Sequence, residues 1–224
     1  MELKCTVCGV RACSAAPGTS EPPDFCPMSA DATDASEAGS SASDVSTGIL
    51  RQARAAYDDP ETRRLALAAA QTEADRYPLE TRVEEVMSFA RRLGVDHLGI
   101  ATCAGLLREA RLAQEIFESQ GFTVQAVCCK VGSIPKEEIG IADQEKIHPG
   151  QYEALCSPIG QAMLLNEADT GLNVVIGLCV GHDSLFFRHS EAPATVLVAK
   201  DRVTGHNPAA VLYTSRSYYR RIRE

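Results

Sequence analysis

The 224-residue sequence lacks several features that indicate particular classes of protein. It has no Trp and only 5% aromatic residues, although its 45% hydrophobic content is enough to build a core. Basic residues are outnumbered by acidic ones, 22 to 30, and the formal net charge is −8. Proteins that bind nucleic acid through its phosphates need an excess of Lys and Arg. The composition therefore argues against a nucleic-acid partner.

Long hydrophobic segments are missing as well. No run approaches the roughly 20 apolar residues that a helix needs to cross a bilayer, so we expect no membrane span. The first residues, Met-Glu-Leu-Lys-Cys, contain no apolar stretch like that of a secretory signal. We therefore expect a cytoplasmic location, where clustered reduced thiols are more often metal ligands or catalytic groups than disulfides.

What the chain does have is nine Cys residues in two groups. The first group is Cys5-x-x-Cys8-x4-Cys13-x12-Cys26, followed by Pro27. The close Cys5–Cys8 pair lets two thiolates reach one metal, and the other two complete a site for Zn2+ or for a 4Fe–4S cluster. A Pro after the last Cys favours the iron–sulfur cluster, with Zn2+ as the alternative. Because residues 1–28 cannot bury a core alone, we predict that they form a metal-binding module.

The rest of the chain alternates between helical and strand-like patterns. Residues 29–47 are rich in Ser, Ala and Asp and predict a flexible linker. Buried apolar runs alternate with amphipathic helices across residues 48–213, which predicts an α/β domain whose mostly parallel sheet is covered by helices, Rossmann-like or doubly wound. Residues 214–224 are predicted to be a basic tail. Predicted helices span residues 49–57, 60–77, 81–94, 104–120 and 151–167, and predicted strands span 95–101, 122–128, 172–179 and 195–199.

The second Cys group follows the predicted strands. Right-handed crossovers bring the carboxyl ends of parallel strands to one edge, where α/β proteins bind ligands. Cys103, the neighbours Cys128 and Cys129, and Cys179 all come at strand ends, so we predict that Cys103 and Cys179 bind a second metal together with one of the two neighbours. Cys128 and Cys129 could instead form a redox pair. A single buried Cys is more often a core residue, and the side-chain direction of Cys156, placed within a helix, is left open.

Polar residues border the same edge. Gly181 and His182 follow Cys179, and the backbone N–H groups that begin the next helix can bind an anion. His182 is suited to metal binding, general base catalysis or hydrogen bonding. Lys130 follows the paired Cys and could bind an anionic substrate or lower the pKa of a thiol. We predict that the catalytic residues are Cys128, Cys129, Lys130 and His182.

A further set of residues is predicted to bind the substrate. Asp183 and Ser184 have helix capping as their alternative role. The stretch from Lys130 to Gly150 is long enough to be a lid or binding loop. The predicted substrate-binding residues are Gly181, Asp183, Ser184, His148, Asp201, His206 and Asn207.

Three phrases resemble a known family. They are residues 127–136, Val-Cys-Cys-Lys-Val-Gly-Ser-Ile-Pro-Lys; residues 177–185, Gly-Leu-Cys-Val-Gly-His-Asp-Ser-Leu; and Lys-Asp-Arg-Val from residue 200, with His-Asn-Pro from residue 206. The chain is similar, from Cys5 to Tyr213, to a family of uncharacterised prokaryotic proteins with a Cys-rich N-terminus. That family is described only as a predicted metal-binding domain of unknown function. The resemblance implies metal binding and no particular reaction.

These observations favour an iron–sulfur protein with a second Cys/His site, which performs redox or metal-assisted chemistry on a small anionic molecule. One cluster is expected, and a second is compatible with the sheet-edge thiols; a redox partner protein or a homodimer is also compatible. The alternative is a non-catalytic zinc or metal carrier or sensor. A thiol oxidoreductase ranks last, because no Cys-x-x-Cys occurs after residue 26.

Overall fold

The computed structural model describes residues 3–16, 18–28 and 42–224, and the chain divides into two compact units, residues 1–69 and 70–224. The first unit contains short 3-10 turns at Cys5–Val7 and Ala12–Ser14, helix α1 (Ala42–Ala55) and the start of α2 (Pro60–Asp75). Most of the predicted linker, residues 29–41, lies outside the described residues. Helix α1 begins before its predicted start at residue 49.

The second unit follows a regular alternation of strands and helices. Its predicted alternation of helices and strands is confirmed; the first three strands are shorter than predicted, and the last helix was not predicted. Along the chain the elements are α3 (Arg82–Arg92), β1 (His97–Thr102), α4 (Leu107–Ser119), β2 (Thr123–Cys128), α5 (Pro158–Glu167), β3 (Leu172–Ile176), α6 (His182–His189), β4 (Ala194–Val198) and α7 (Ala209–Tyr213).

The four strands of this unit form one parallel sheet in the order β2-β1-β3-β4. Thr102, at the end of β1, pairs with Cys128 of β2 and with Ile176 of β3, so the carboxyl ends of these strands are level. Every residue of β3 is buried, as are the last five of β1. A strand buried in this way needs cover on both faces of the sheet. The predicted parallel α/β architecture is therefore confirmed.

Local sequence explains where α3 begins and ends. Thr81 caps the helix: its backbone N–H donates to Glu84 Oε2 at 2.8 Å, and the two residues form a capping box. Gly94 follows the helix with φ of +68°, a conformation that favours Gly. Val86, Met87 and Ala90 of this helix are buried in the core. Helix signals in the sequence thus coincide with the helix in the structure.

The segment between β2 and α5 differs from its prediction. The helix expected from residue 151 begins instead at Pro158, because Pro suits the first helical position and disfavours helical backbone in the residue before it. The long loop contains 3-10 turns at Lys136–Ile139 and Asp143–Glu145. The Lys146 side chain is buried and forms ion pairs with Glu137 and Asp143. The loop is therefore ordered by charge pairing rather than structureless.

Within the described residues, no helix combines the length and the apolar character that crossing a bilayer requires. The C-terminal segment, predicted as a basic tail, contains a 3-10 turn at Arg220–Ile222. Beyond α7, the rings of Tyr218 and Tyr219 pack edge to face, and their centroids are 4.9 Å apart.

Candidate functional site

Four cysteines meet at the carboxyl edge of the sheet. Cys103 and Cys129 directly follow β1 and β2: the backbone N–H of Cys103 donates to Ile176 O at 3.1 Å, and that of Cys129 donates to Thr102 O at 2.8 Å. Cys179 follows β3 after a turn at Gly177, whose φ of +67° ends the strand. The fourth is Cys156. We call Cys103, Cys129, Cys156 and Cys179 the thiol cluster.

Cys156 reaches this edge through the extended segment before α5. The N–H of Ser157 donates to the carbonyl of Cys129 at 2.7 Å, which fixes the two backbones side by side. Cys156 is therefore not one turn into a helix, as the sequence predicted. The sequence signal that could have placed it is Ser157-Pro158, since a Pro at the first helical position leaves the preceding residues outside the helix.

Backbone N–H groups after β1 donate to two of the sulfur atoms. The Ala104 N–H lies 3.3 Å from Cys129 Sγ, and the Gly105 N–H lies 3.4 Å from Cys103 Sγ. Cys103 and Cys129 are 8% and 2% exposed, so water contributes little to solvating their sulfurs. These N–H groups favour negative charge on the sulfurs that they contact.

Cys129 and Cys156 share a hydrogen bond between their side chains. The bond from the Cys129 thiol is the largest cause that lowers the pKa of Cys156, to about 5, against the opposing effect of burial. The positive charges of Lys130 and His182 lower the pKa of Cys156 further. The same hydrogen bond, together with burial, raises the pKa of Cys129. The two shifts run in opposite directions, so negative charge is favoured on Cys156 over Cys129.

Four basic side chains lie beside the thiols, and we call Lys130, His182, Lys200 and Arg202 the cationic fringe. Lys200 Nζ lies 3.4 Å from Cys103 Sγ, and the Arg202 guanidinium donates to Cys179 Sγ at 3.2 Å. The Cys179 sulfur is the first cause of a raised Arg202 pKa. Lys200 and Arg202 were missing from the predicted site, because an isolated cation after a strand carries no sequence signal of its own.

Of the two neighbouring Cys residues, Cys129 joins the thiol cluster. Cys128 ends β2, is half-buried and packs against the hydrophobic core. Side chains of consecutive residues in a strand point to opposite faces, so the two cannot both face one site. Lys130 and His182 lie close enough to Cys156 to lower its pKa, and the predicted catalytic role of Cys128, Cys129, Lys130 and His182 stays a prediction.

The residues predicted to bind substrate have other partners in the structure. Asp183 Oδ1 accepts from the backbone N–H groups of Gly181 and Ser184, at 3.0 and 2.8 Å, which is the capping alternative. His148 is exposed, and its backbone N–H donates to Glu153 Oε1 at 2.6 Å. Their predicted role in substrate binding stays a prediction.

The loop after β4 is braced by two more of these residues. Asp201 Oδ1 accepts from the Val203 and Thr204 N–H groups, and His206 Nδ1 accepts from the Asp201 N–H at 3.1 Å. Hydrogen bonding from Thr204 lowers the pKa of Asp201. Asn207 accepts the Ala210 N–H through its carbonyl at the start of α7. This turn holds Arg202 in a fixed loop beside Cys179.

The N-terminal cysteines lie on short turns. Backbone N–H groups donate to two of the sulfurs, from Arg11 to Cys8 and from Met28 to Cys26, each at 3.5 Å. Such bonds accompany metal-bound thiolates and tune them, and four thiols are a donor set suited to iron–sulfur clusters or Zn2+. Among the residues that the structure describes, no group of three or more His, Cys, Asp or Glu side chains is arranged to hold a metal ion. Metal binding at Cys5, Cys8, Cys13 and Cys26, and at Cys103 and Cys179, therefore stays a prediction.

Comparison with known proteins gives a family and a relative. The profile of a family described as "Protein of unknown function (DUF1847)" matches residues 41–197. The chain is also 42% identical, over 176 residues, to an uncharacterised protein of Methanocaldococcus jannaschii, and the alignment covers 79% of this chain and 86% of the relative. No solved structure matches the chain. The matched family region contains the thiol cluster and excludes the four N-terminal cysteines.

Proposed function

The chain belongs to the family of proteins of unknown function whose profile matches residues 41–197, and on the basis of its own residues we propose that it is a thiol-dependent redox protein. Its substrate is a small anionic molecule that binds at the thiol cluster. The N-terminal cysteines hold an iron–sulfur cluster, with Zn2+ as the alternative metal.

One observation carries the proposal: the basic side chains of the cationic fringe lie beside the thiol cluster. The fringe includes Lys200 at 3.4 Å from Cys103 Sγ and Arg202 at 3.2 Å from Cys179 Sγ. Cations next to thiols favour the thiolate, which is the reactive form of Cys. They also attract an anionic substrate to the same place. A core that merely tolerates buried thiols has no need of these charges.

The position in the sheet supports ligand binding. The strand order is β2-β1-β3-β4. The chain therefore proceeds from β1 to β2 on one side of the β1–β3 boundary and from β3 to β4 on the other side. In doubly wound sheets the crevice beyond such a boundary is the usual ligand site. Cys103 follows β1 and Cys179 follows β3, so the thiol cluster occupies that boundary. We infer a doubly wound, Rossmann-like architecture on this ground.

The N-terminal set fits a metal by the chemistry of its donors. Cys5 and Cys8 are close in sequence, and N–H groups donate to the sulfurs of Cys8 and Cys26. An iron–sulfur cluster bound there would supply one-electron transfer. The protein's part is to present the four thiolates and to keep their charge compensated by these hydrogen bonds.

The test is anaerobic purification of the full chain, followed by a visible spectrum and analysis of iron, zinc and sulfide. The same analysis is made on Cys5→Ser/Cys8→Ser and on Cys103→Ser/Cys179→Ser. We expect about four irons and four sulfides per chain, lost in the first variant and kept in the second. About eight irons, half of them lost in each variant, would establish the second cluster predicted at Cys103 and Cys179.

A colourless protein with one zinc would leave the N-terminal module as a structural or carrier site.

Activity at the thiol cluster is measured separately, as the rate at which Cys156 is alkylated by iodoacetate, an anion, and by neutral iodoacetamide. The proposal expects Arg202→Met to slow the anionic reagent several-fold more than the neutral one. Equal slowing of both reagents would contradict binding of an anionic substrate.

A further inference from the structure

We propose that Cys129 and Cys156 form a redox dithiol that reduces small, negatively charged disulfides, with Cys156 as the attacking sulfur and Cys129 as the resolving one. The inference rests on the proposed function and names its reacting atoms and substrate class. It does not require a bound metal. Sequence spacing does not point to this pair, because the two residues are 27 positions apart. The family match assigns them no role.

The two Cys residues lie on adjacent backbone segments. The Ser157 N–H donates to the Cys129 carbonyl at 2.7 Å, and each of the two Cys side chains shifts the pKa of the other. A disulfide needs its two Cα atoms within about 7 Å and its Cβ atoms facing one another. Because the backbone bond holds the two segments together, we expect side-chain rotation and a small approach to be enough to form the disulfide.

The segment that carries Cys156 is held firmly on both sides. The Leu155 N–H donates to Ile134 O at 2.7 Å, and Lys130 Nζ donates to Ala154 O at 2.5 Å. An ion pair of 2.5 Å joins Lys136 and Glu153. The loop between β2 and α5, which these hydrogen bonds and charge pairs order, therefore positions Cys156.

Burial distinguishes the roles of the two sulfurs. Cys129 is 2% exposed, whereas Cys156 is only partly buried. A substrate from solution therefore meets Cys156 first. The Lys130 and His182 charges act on Cys156, and the Ala104 N–H at 3.3 Å supports negative charge on Cys129 when its own proton leaves.

The reaction balances without another oxidant. The Cys156 thiolate attacks one sulfur of the substrate RSSR, so that a Cys156–SR bond forms, the substrate S–S bond breaks and one RS⁻ leaves. Cys129 loses its proton and attacks the Cys156 sulfur, which forms the Cys129–Cys156 disulfide and releases the second RS⁻. The substrate disulfide gains two electrons, and the protein dithiol loses two electrons and one proton.

Charge selects the substrate. Lys130, Lys200 and Arg202 carry positive charge beside the cluster. The carboxylates of Asp183 in α6 and Asp201 in the loop after β4, by contrast, accept backbone hydrogen bonds. An anionic disulfide therefore gains attraction at the site and a cationic one is repelled.

The experiment uses the full chain, reduced and freed of metal by chelation. Dithiodiglycolate, a dianionic disulfide, is compared with cystamine, a dication of similar size, and each rate is divided by the rate for free mercaptoethanol. Peptide mass mapping quantifies the modification at each Cys. We expect the normalised rate at Cys156 to be about ten-fold or more higher for the dianion, and the product to be a Cys129–Cys156 disulfide.

Three variants assign the roles. Cys129→Ser should trap a stable mixed disulfide on Cys156, and Cys156→Ser should abolish both the rapid phase and the intramolecular disulfide. Ser119→Ala, at an exposed position of α4 and outside the residues assigned to the site, should behave like the unaltered chain. Far-ultraviolet circular dichroism checks that each variant is folded.

The proposal is overturned by an intramolecular disulfide to a different Cys, by no charge preference, or by trapping on Cys129 rather than Cys156. Loss of irons from the anaerobically purified chain in Cys156→Ser would also overturn it, because Cys156 would then be a cluster ligand. That last outcome leaves the proposed redox function standing. Conversely, a Cys129–Cys156 disulfide formed at equal rates by both reagents would reject the anionic substrate and keep the dithiol.

Discussion

At the scale of single residues, the chemistry of a Cys depends on its immediate neighbours. Cys128, Cys129 and Cys156 have the same side chain and lie within one small region. Cys128 packs against the core, Cys129 is buried at the carboxyl edge of the sheet, and Cys156 lies near Lys130 and His182. Only Cys156 combines access to solvent with stabilised negative charge, so it should be the most reactive of the three.

The pH dependence of alkylation tests this difference. The pKa of Cys156 is lowered to about 5, first by the hydrogen bond from Cys129 and then by the Lys130 charge. The reactive thiolate predominates above the pKa, so the rate at Cys156 should stay nearly constant from pH 8 to about pH 6 and fall below about pH 5. The measurement is iodoacetamide labelling of the metal-free chain, quantified by mass spectrometry.

Lys130→Met should move the fall in rate to higher pH, because one stabilising charge is lost, whereas Lys130→Arg should move it less. Free mercaptoethanol labelled under the same conditions is the control, and its rate should fall steadily as the pH drops below the pKa of an unperturbed thiol. A rate at Cys156 that already drops ten-fold between pH 8 and pH 7 would contradict the prediction.

At the scale of elements, the turn after each strand decides which side chains reach the site. Gly177 ends β3 with φ of +67°, and a Cβ placed there would lie 2.6 Å from the Leu106 side chain, which is fully buried. Gly181 has φ of +85°, but nothing lies within 4 Å of a Cβ at that position. The two glycines share a conformation that Ala rarely adopts and differ in their surroundings.

Replacing each by Ala separates backbone strain from packing. Gly177→Ala should lower the free energy of unfolding by about 1–3 kcal/mol more than Gly181→Ala, because only the former forces a buried Leu to move. Urea denaturation of the two variants and the unaltered chain gives the difference. Equal losses in the two variants would mean that the Leu106 contact is easily relieved.

The loop before α5 gives a second prediction at this scale. Lys146 lowers the pKa values of Glu137 and Asp143, mainly by hydrogen bonding, and they raise the pKa of Lys146. Depressed carboxylate pKa values contribute stability above the unfolded values near 4, and that stability is lost as the pH falls through the folded values. The raised Lys146 pKa contributes stability below about 10.5, which is lost at higher pH.

Thermal unfolding should therefore show a steeper loss of Tm below about pH 4 in the unaltered chain than in Lys146→Met. The matched control is Lys4→Met, a Lys outside this loop. If Lys146→Met keeps the full acid-induced loss of Tm, the ion pairs of the loop are not its cause.

At the scale of the whole molecule, the two units differ in the interactions that can stabilise each of them. The core cluster runs from Val86 to Phe186 and lies entirely within residues 70–224. In residues 3–16 and 18–28, by contrast, Ala12 is the buried hydrophobic residue. The second unit therefore has its own hydrophobic driving force, whereas for residues 3–28 we propose that bound metal supplies the stabilisation.

Chelation should affect residues 3–28 and the α/β unit differently, and one experiment can measure both effects. Removing the metal from the anaerobically purified chain should make residues 3–28 at least ten-fold more sensitive to limited proteolysis, while the Tm of the α/β unit changes by less than about 2 °C. Proteolysis is followed by mass spectrometry and unfolding by circular dichroism. Unchanged proteolysis of the N-terminal segment would reject metal as the source of its order.

Much of the fold could be predicted because its signals are local. The capping box at Thr81, the Gly after α3 and the continuous apolar run of β3 each concern a few neighbouring residues. The site was predicted only in part. Cys103 and Cys129 follow strands directly, Lys130, Cys179 and His182 lie in or just after the turns that follow strands, and parallel strands bring their carboxyl ends together. Cys156 was left open because a helix was expected over it, although Pro158 carried the contrary signal.

The sequence by itself determined the parallel α/β unit and the edge of the sheet at which its thiols lie. Hydrophobic periodicity and the ends of strands depend on residues that are adjacent in the chain. Only the tertiary structure decided which thiol touches which partner. Lys200 lies 97 residues from Cys103, and Arg202 lies 23 residues from Cys179. Contacts over such separations depend on strand order and loop paths, because the energy that fixes them comes from the packing of the whole sheet.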